Sequence, residues 1–173
     1  RLLNYADNAA LPVDVHDFSD AINRYLLVDK TMFIADILDS EASVALCCRP
    51  KGFGKSVNLS MLKYYLERPD HRLLDRSPFI CTQIWQAGGG RYRDEYACYP
   101  VIMLDFTAAA SRHGAGATAA IRGAVVRECA RLLPLLVAPD LSRREVRLIE
   151  RTARGVASDK EIDVALGVLI KLL

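Results

Sequence analysis

One short segment, Arg49-Pro-Lys-Gly-Phe-Gly-Lys-Ser56, constrains this chain more than any other part of the sequence. Its last three residues match the end of the phosphate-binding pattern G-x-x-x-x-G-K-[ST], although Arg49 stands where the pattern has its first glycine. A short apolar run, Val44 to Cys48, precedes the segment, and residues 55–66 follow it with the pattern of a helix. The order of buried strand, tight loop and helix start is the context that a phosphate-binding loop requires.

The residue types of this segment suit an anion. A helix N-terminus leaves backbone N–H groups unpaired, and glycine allows the backbone angles that let several such groups converge. Lys55 is expected to reach the β- and γ-phosphates of ATP, and the Ser56 hydroxyl is expected to bind Mg²⁺. Arg49 and Lys51 add positive charge at the rim. The predicted nucleotide contacts are Arg49, Pro50, Lys51, Gly52, Phe53, Gly54, Lys55, Ser56 and Val57.

The apolar runs predict an α/β fold. Val44–Cys48 and Pro100–Phe106 are continuous apolar runs of strand length, typical of strands buried on both faces of a parallel sheet. Most other segments carry helical signals, so the element order predicts a layered P-loop NTPase core with a parallel sheet. We assign residues 1–27 to an N-terminal extension and residues 28–173 to the N-terminal part of this ATPase domain.

Local signals predict individual helices in more detail. Thr31 can cap a helix from Met32 to Leu38. Ser142-Arg-Arg-Glu145 and Ser158-Asp-Lys-Glu161 are capping boxes, in which a serine and a glutamate three residues later satisfy each other's backbone N–H groups. Gly155 suits the C-terminal end of the first of these two helices.

Composition excludes several classes of protein. The 173 residues are 51% hydrophobic and 25% charged, with a formal net charge of +2, so the surface as a whole is not built for nucleic acid. No apolar run approaches the roughly 20 residues that span a bilayer, and we expect no membrane partner. Five cysteines without CxxC spacing, and three histidines far apart, favour neither disulfides nor zinc, so a reducing cytoplasm is expected.

Several segments resemble the AAA-ATPase-like family of prokaryotic P-loop proteins, closely over residues 11–66 and more weakly at 99–106. In this family an Arg-Pro pair opens the loop, which explains the missing first glycine. The resemblance implies a bacterial ATP-binding protein of the additional-strand P-loop type. It is carried by Leu11-Pro-Val-Asp-Val-His-Asp-Phe18, Val28-Asp-Lys-Thr31, Phe33-Ile34, Arg49 to Ser56, Asn58-Leu-Ser-Met-Leu62 and Tyr99-Pro-Val-Ile-Met-Leu-Asp-Phe106.

Asp105 ends an apolar run, as a Mg²⁺-binding Walker B aspartate does. In the family that this chain resembles, a strand ending in Asp-Glu-Tyr-Asp comes later and is the better Walker B candidate. Two roles therefore stay open for Asp105: a Mg²⁺ ligand beside Ser56, or a carboxylate with a structural task.

We expect ATP binding, with hydrolysis in the complete protein, of which this chain reads as a fragment. No catalytic base and no arginine finger can be assigned, so enzymatic activity stays open. The ATPase is expected to couple its nucleotide state to an effector domain or protein partner. The alternatives are a nucleotide-dependent scaffold with little turnover and a small-molecule kinase.

Two further segments each allow a functional and a structural interpretation. Arg143, Arg147, Arg151 and Arg154 form one helical stripe, which fits either nucleic-acid contact or a solvated face on which Glu150 pairs with Arg154. The sequence favours the solvated face, because no aromatic residues interleave with the arginines. The 28–31 segment either flanks adenine, by analogy with related ATPases, or starts and caps the next helix; capping is favoured.

Overall fold

The computed structural model describes residues 2–3, 10–68, 77–110, 113–135 and 142–171. Contacts divide the chain into two units, Arg1–Pro100 and Val101–Leu173. Each unit has its own cluster of buried apolar side chains.

The first unit consists mainly of helices joined by irregular chain. Asp17 caps the first of them, because its side chain accepts a hydrogen bond from the Asp20 N–H. The helix predicted at Met32–Leu38 is confirmed with the same bounds, and so is the helix that follows the loop. The helices are α1 (Phe18–Arg24), α2 (Met32–Leu38), α3 (Lys55–Leu66), α4 (Ser77–Ile80), α5 (Gln83–Gln86) and α6 (Arg91–Asp94), with a 3₁₀ turn at Ala87–Gly90.

Aromatic rings form the centre of the first unit. Phe79 stacks on Phe18 with 5.2 Å between ring centroids, and Tyr65 meets Phe79 edge-on at 5.0 Å. Tyr96 packs edge-on against both Tyr65 and Trp85. Since Tyr65 lies on α3, these contacts fix the helix that begins at the predicted phosphate-binding loop.

The described residues of the second unit form four helices, two of which begin with capping boxes. They are α7 (Thr107–Ala110), α8 (Ala115–Leu132), α9 (Arg143–Ala153) and α10 (Asp159–Ile170), with a 3₁₀ turn at Leu133–Leu135. Both predicted capping boxes are confirmed at Ser142 and Ser158. Gly155, with φ of +69°, ends α9: its N–H donates to the Thr152 carbonyl and the Val156 N–H to the Arg151 carbonyl.

The predicted parallel sheet is wrong. Within the described ranges the chain is mostly helical, and its sheet has two strands, β1 (Leu2–Leu3) and β2 (Leu27–Val28), paired antiparallel. Residues 44–48 and 100–106 form no strand of a sheet there. The side chains of Val44 and Leu46 are 81% and 86% exposed. An apolar run supplies only the side chains of a buried strand, and without a hydrogen-bonded neighbour it forms none.

None of the described helices is long and apolar enough to cross a bilayer.

Candidate functional site

The loop that leads into α3 turns sharply at two glycines. Gly52 and Gly54 have φ angles of +85° and +74°, in the left-handed region that side chains other than glycine rarely adopt. A Cβ atom at either position would meet no atom within 4 Å, so glycine serves the backbone angle there and not a close approach. Gly54 is also the N-cap residue of α3, and its carbonyl accepts the first helical bond, from the Asn58 N–H at 2.9 Å.

The ammonium group of Lys55 folds back across this loop. Its Nζ donates to the carbonyl oxygen of Arg49 at 2.7 Å and to that of Pro50 at 2.9 Å. The lysine therefore ties the beginning of the loop to its end, and its charge lies over the turn. Lysine carries three donors, so one can still reach an anion while both carbonyl bonds persist.

The first backbone N–H groups of α3 have no hydrogen-bond partner among the described residues. Gly54 cannot supply a capping side chain, and no acidic residue lies in the first turn. The N–H groups of Lys55, Ser56 and Val57 precede the first intrahelical donor, Asn58. Together with the partial positive charge of a helix N-terminus, they form a set of donors suited to a phosphate or another anion.

The other predicted contact residues divide into exposed and buried ones. Arg49, Pro50, Lys51 and Ser56 are exposed. Phe53 is exposed as well, at 57%. Val57 is buried in the aromatic core, so it anchors the helix and can offer a ligand only its backbone N–H.

A polar latch that the sequence did not reveal holds α3 against α1. The Ser60 hydroxyl accepts from the Phe18 N–H at 3.0 Å and donates to Asp17 Oδ2 at 3.1 Å. The Tyr64 hydroxyl lies 3.5 Å from the other oxygen of Asp17. Partial burial, and then the negative charge of Asp17, raise the pKa of Tyr64. The two partners belong to segments 42 or more residues apart, and no local pattern pairs them.

Asp29 and Thr31 of the 28–31 segment bond to each other and to the start of α5. Asp29 is buried, and its Oδ1 accepts from both the N–H and the hydroxyl of Thr31, at 3.0 and 2.7 Å. Asp29 Oδ2 accepts from the Gln83 N–H and Thr31 Oγ1 from the Ile84 N–H, at 2.9 and 3.1 Å. These side chains therefore cap α5, while Thr31 makes no capping bond to the helix that it precedes. The segment therefore has the capping role that the sequence favoured, but the helix that it caps is α5 and not α2.

Asp105 belongs to the second unit. Its Oδ1 accepts from the Thr107 N–H at 2.8 Å and from the Thr107 hydroxyl at 2.6 Å, which places it at the start of α7. This geometry is that of a structural Asx turn, one of the two roles that the sequence left open. The role of Asp105 as a metal ligand stays a prediction. Within the described ranges no three acidic, cysteine or histidine side chains are grouped as a metal site.

One comparison with known proteins identifies a relationship. A family model described as AAA-ATPase_like, predicted AAA-ATPase, matches residues 12–138, which include the loop, α3 and the latch to α1. No curated protein and no solved structure matches the chain.

Proposed function

This chain belongs to the family of predicted AAA-ATPases, and from that premise we propose that the loop at residues 49–57 binds the phosphates of ATP. The observation that carries the proposal is the set of unpaired N–H groups at the start of α3, beside the ammonium of Lys55. Backbone amides and a lysine are the groups that phosphate-binding loops use.

The phosphates would bind at the N-terminus of α3, next to the ammonium group of Lys55. The N–H groups of Lys55, Ser56 and Val57 would hold a phosphate group of ATP, and Lys55 Nζ would offer its third donor to another. Gly52 and Gly54, with their positive φ angles, keep the loop bent just ahead of these donors. Arg49 and Lys51 supply charge at the rim, where water weakens their effect.

Mg²⁺ would bind beside the phosphates, at Ser56. A magnesium ion in a nucleotide site keeps several waters and takes one or two protein oxygens together with phosphate oxygens. The Ser56 hydroxyl is exposed in the first turn of α3 and is not engaged by any described residue, so it can be one of those oxygens. When bound, the ion would supply positive charge that neutralises the phosphates.

In the complete protein we propose that ATP is also hydrolysed and that its state is passed to an effector domain or partner. The packing of α3 supports the proposal that the nucleotide state is passed on to a partner. The helix that begins at the loop also carries Met61 and Tyr65 of the core, and Ser60 of the latch. A displacement of α3 on nucleotide binding would therefore be passed to α1 through these contacts.

The expected location is the cytoplasm. All five cysteines are free and four of them are exposed, a pattern that fits a compartment in which thiols stay reduced.

Removing single lysine charges tests the ATP site. Lys55→Ala should weaken Mg-ATP binding by about 10- to 100-fold, since a hydrogen bond to a charged group contributes roughly 1.5–3 kcal/mol. Titration calorimetry of the 173-residue chain measures the change. Lys51→Ala is the matched control: it removes the same charge from the rim and should cost about threefold or less. Unchanged affinity in Lys55→Ala, or equal losses in both variants, would contradict the proposed site.

A further inference from the structure

Helix α9 presents all its arginines on one side. At 3.6 residues per turn, Arg143, Arg144, Arg147, Arg151 and Arg154 fall within an arc of about 100°. Ile149 and Thr152, which are buried, lie on the opposite side. The arrangement is independent of the ATP site, and it lies beyond the residues that the family model matches.

Four of these five arginines are exposed and have no ion pair with any described residue: Arg143, Arg144, Arg147 and Arg154. Arg151 pairs with Glu161. The solvated-face interpretation expected the side chains of Glu150 and Arg154 to pair. Within the described ranges these two residues are joined instead by the helical bond from the Arg154 N–H to the Glu150 carbonyl, at 3.1 Å. The stripe therefore concentrates positive charge in a chain whose formal net charge is only +2.

The residue types on α9 indicate which class of partner the arginine stripe can bind. An amphipathic helix that binds a membrane surface needs a free apolar face, and the apolar face of α9 packs against α8 and α10. A protein interface needs an apolar or aromatic centre, and no aromatic residue lies on α9. A regularly charged polyanion needs neither feature.

We propose that the arginine stripe of α9 binds the phosphate backbone of duplex nucleic acid without reading its sequence. The stripe is about 16 Å long at 1.5 Å per residue, and duplex DNA carries about one charge per 1.7 Å, so several phosphates lie within its reach. Guanidinium groups pair with phosphate oxygens through two parallel hydrogen bonds. Without aromatic residues the stripe cannot stack bases, so phosphate contact is its mode of binding.

The salt dependence of binding to a fluorescent 20-base-pair DNA duplex tests the proposal. Each phosphate contact contributes about −0.9 to the slope of log K against log salt, so four arginines predict a slope between −3 and −4. The triple variant Arg143→Gln/Arg147→Gln/Arg154→Gln should reduce the slope to about −1 and weaken binding at 0.1 M salt by about 100-fold or more. The corresponding lysine variant should keep most of the slope.

A charge-matched control separates the stripe from general charge. Arg24→Gln/Lys30→Gln/Arg127→Gln removes three exposed cations outside α9 and should leave the slope within about one unit of the original. Urea unfolding should show the stripe variant to be as stable as the original chain. Lys55→Ala should retain duplex binding, since the ATP site is not involved.

Four results would overturn the proposal: no duplex binding at low salt, equal losses in the stripe variant and its control, loss of duplex binding in Lys55→Ala, or binding to phosphatidylserine vesicles or polyglutamate but not to DNA. Retained ATP binding in the stripe variant would show that the two sites are separate.

Discussion

The backbone N–H groups at the N-terminus of α3 lack the side-chain caps that are present at the N-termini of α9 and α10. At α9 and α10, a serine hydroxyl accepts from the third residue of the helix and a glutamate accepts from the serine N–H. At α3, glycine replaces the serine and no acidic residue follows. The same chain therefore closes two helix starts with its own side chains and leaves a third able to receive an external anion.

Electrostatics strengthens the contrast. Hydrogen bonds from the Ser142 hydroxyl and N–H, and then from Lys171, lower the pKa of Glu145 to about 2. Bonds from the Ser158 N–H and hydroxyl, and then from Arg151, lower the pKa of Glu161 to about 2. Both carboxylates stay ionised at the positive ends of their helices. The first turn of α3 holds Lys55 and no carboxylate, so its N–H groups stay available to an external anion.

The largest expected effect comes from giving α3 a carboxylate of its own. Gly54→Asp should weaken Mg-ATP binding by about 100-fold, because a like charge some 6 Å from a phosphate costs about 2–3 kcal/mol near a protein surface. Asparagine has the same shape and tolerates positive φ equally well, but it has no charge. Gly54→Asn should therefore cost tenfold or less. Equal losses in the two variants would show that backbone strain, and not repulsion of an anion, explains the effect.

A smaller effect should distinguish Ser142, which caps α9, from Ser56, which lies in the uncapped first turn of α3. Ser142→Ala removes a cap and should lower the free energy of unfolding by about 1 kcal/mol while leaving ATP affinity unchanged. Ser56→Ala should do the reverse, because its hydroxyl caps nothing: stability should stay within about 0.5 kcal/mol, and the gain in ATP affinity on adding Mg²⁺ should fall. Urea unfolding and calorimetry measure the two quantities. If Ser56→Ala lost as much stability as Ser142→Ala, the claim that the Ser56 hydroxyl does not cap its helix would be contradicted.

The smallest expected effect is a pH dependence of stability that comes from the capped N-termini of α9 and α10. The pKa values of Glu145 and Glu161 fall from 4.5 to about 2 on folding, so their contribution to stability is present above pH 4.5 and is lost as the pH drops toward 2. Glutamine can still take part in a capping box but does not titrate. The Tm of Glu145→Gln/Glu161→Gln should therefore fall less than that of the original chain between pH 5 and pH 2. Parallel Tm curves across that range would contradict the assignment.

Helices were predictable from the sequence where a few adjacent residues determine them. The capping boxes at 142–145 and 158–161, the stop at Gly155 and the bounds of α2 depend on bonds within one or two turns. The segment at 86–99, which is rich in glycine and polar residues, contains a 3₁₀ turn and α6, with Tyr92 buried. Its three glycines adopt positive φ between short helical turns, which composition alone does not show.

The sheet could not be predicted in the same way, because a strand depends on a partner that its own sequence does not specify. The run at 44–48 has the composition of a buried strand and is nevertheless exposed. In the second unit, residues near 101–103 are held by side chains of α8: the Met103 N–H donates to buried Glu128 at 2.7 Å, and Arg131 donates to the Val101 carbonyl at 2.8 Å. Bonds of this kind replace a sheet ladder.

At the candidate site, the sequence predicted the loop, its glycines and the helix start, because these are consecutive residues with a known pattern. It did not predict that Lys55 would bond to the carbonyls of Arg49 and Pro50, nor that Ser60 would bond to Asp17. Side-chain bonds of this kind depend on how the chain folds back on itself, which residue order alone does not give.

Backbone amide NMR shifts on adding Mg-ATP test the central claim most directly, since they report on the donors themselves. In the ¹⁵N-labelled chain, the amide signals of Lys55, Ser56 and Val57 should move as ATP is added and saturate at one ATP per chain. The amides of Glu145 and Glu161, which already have serine partners, should stay in place. Signals of residues 55–57 that do not move at saturating ATP, or that move no more than those of the two glutamates, would contradict the account.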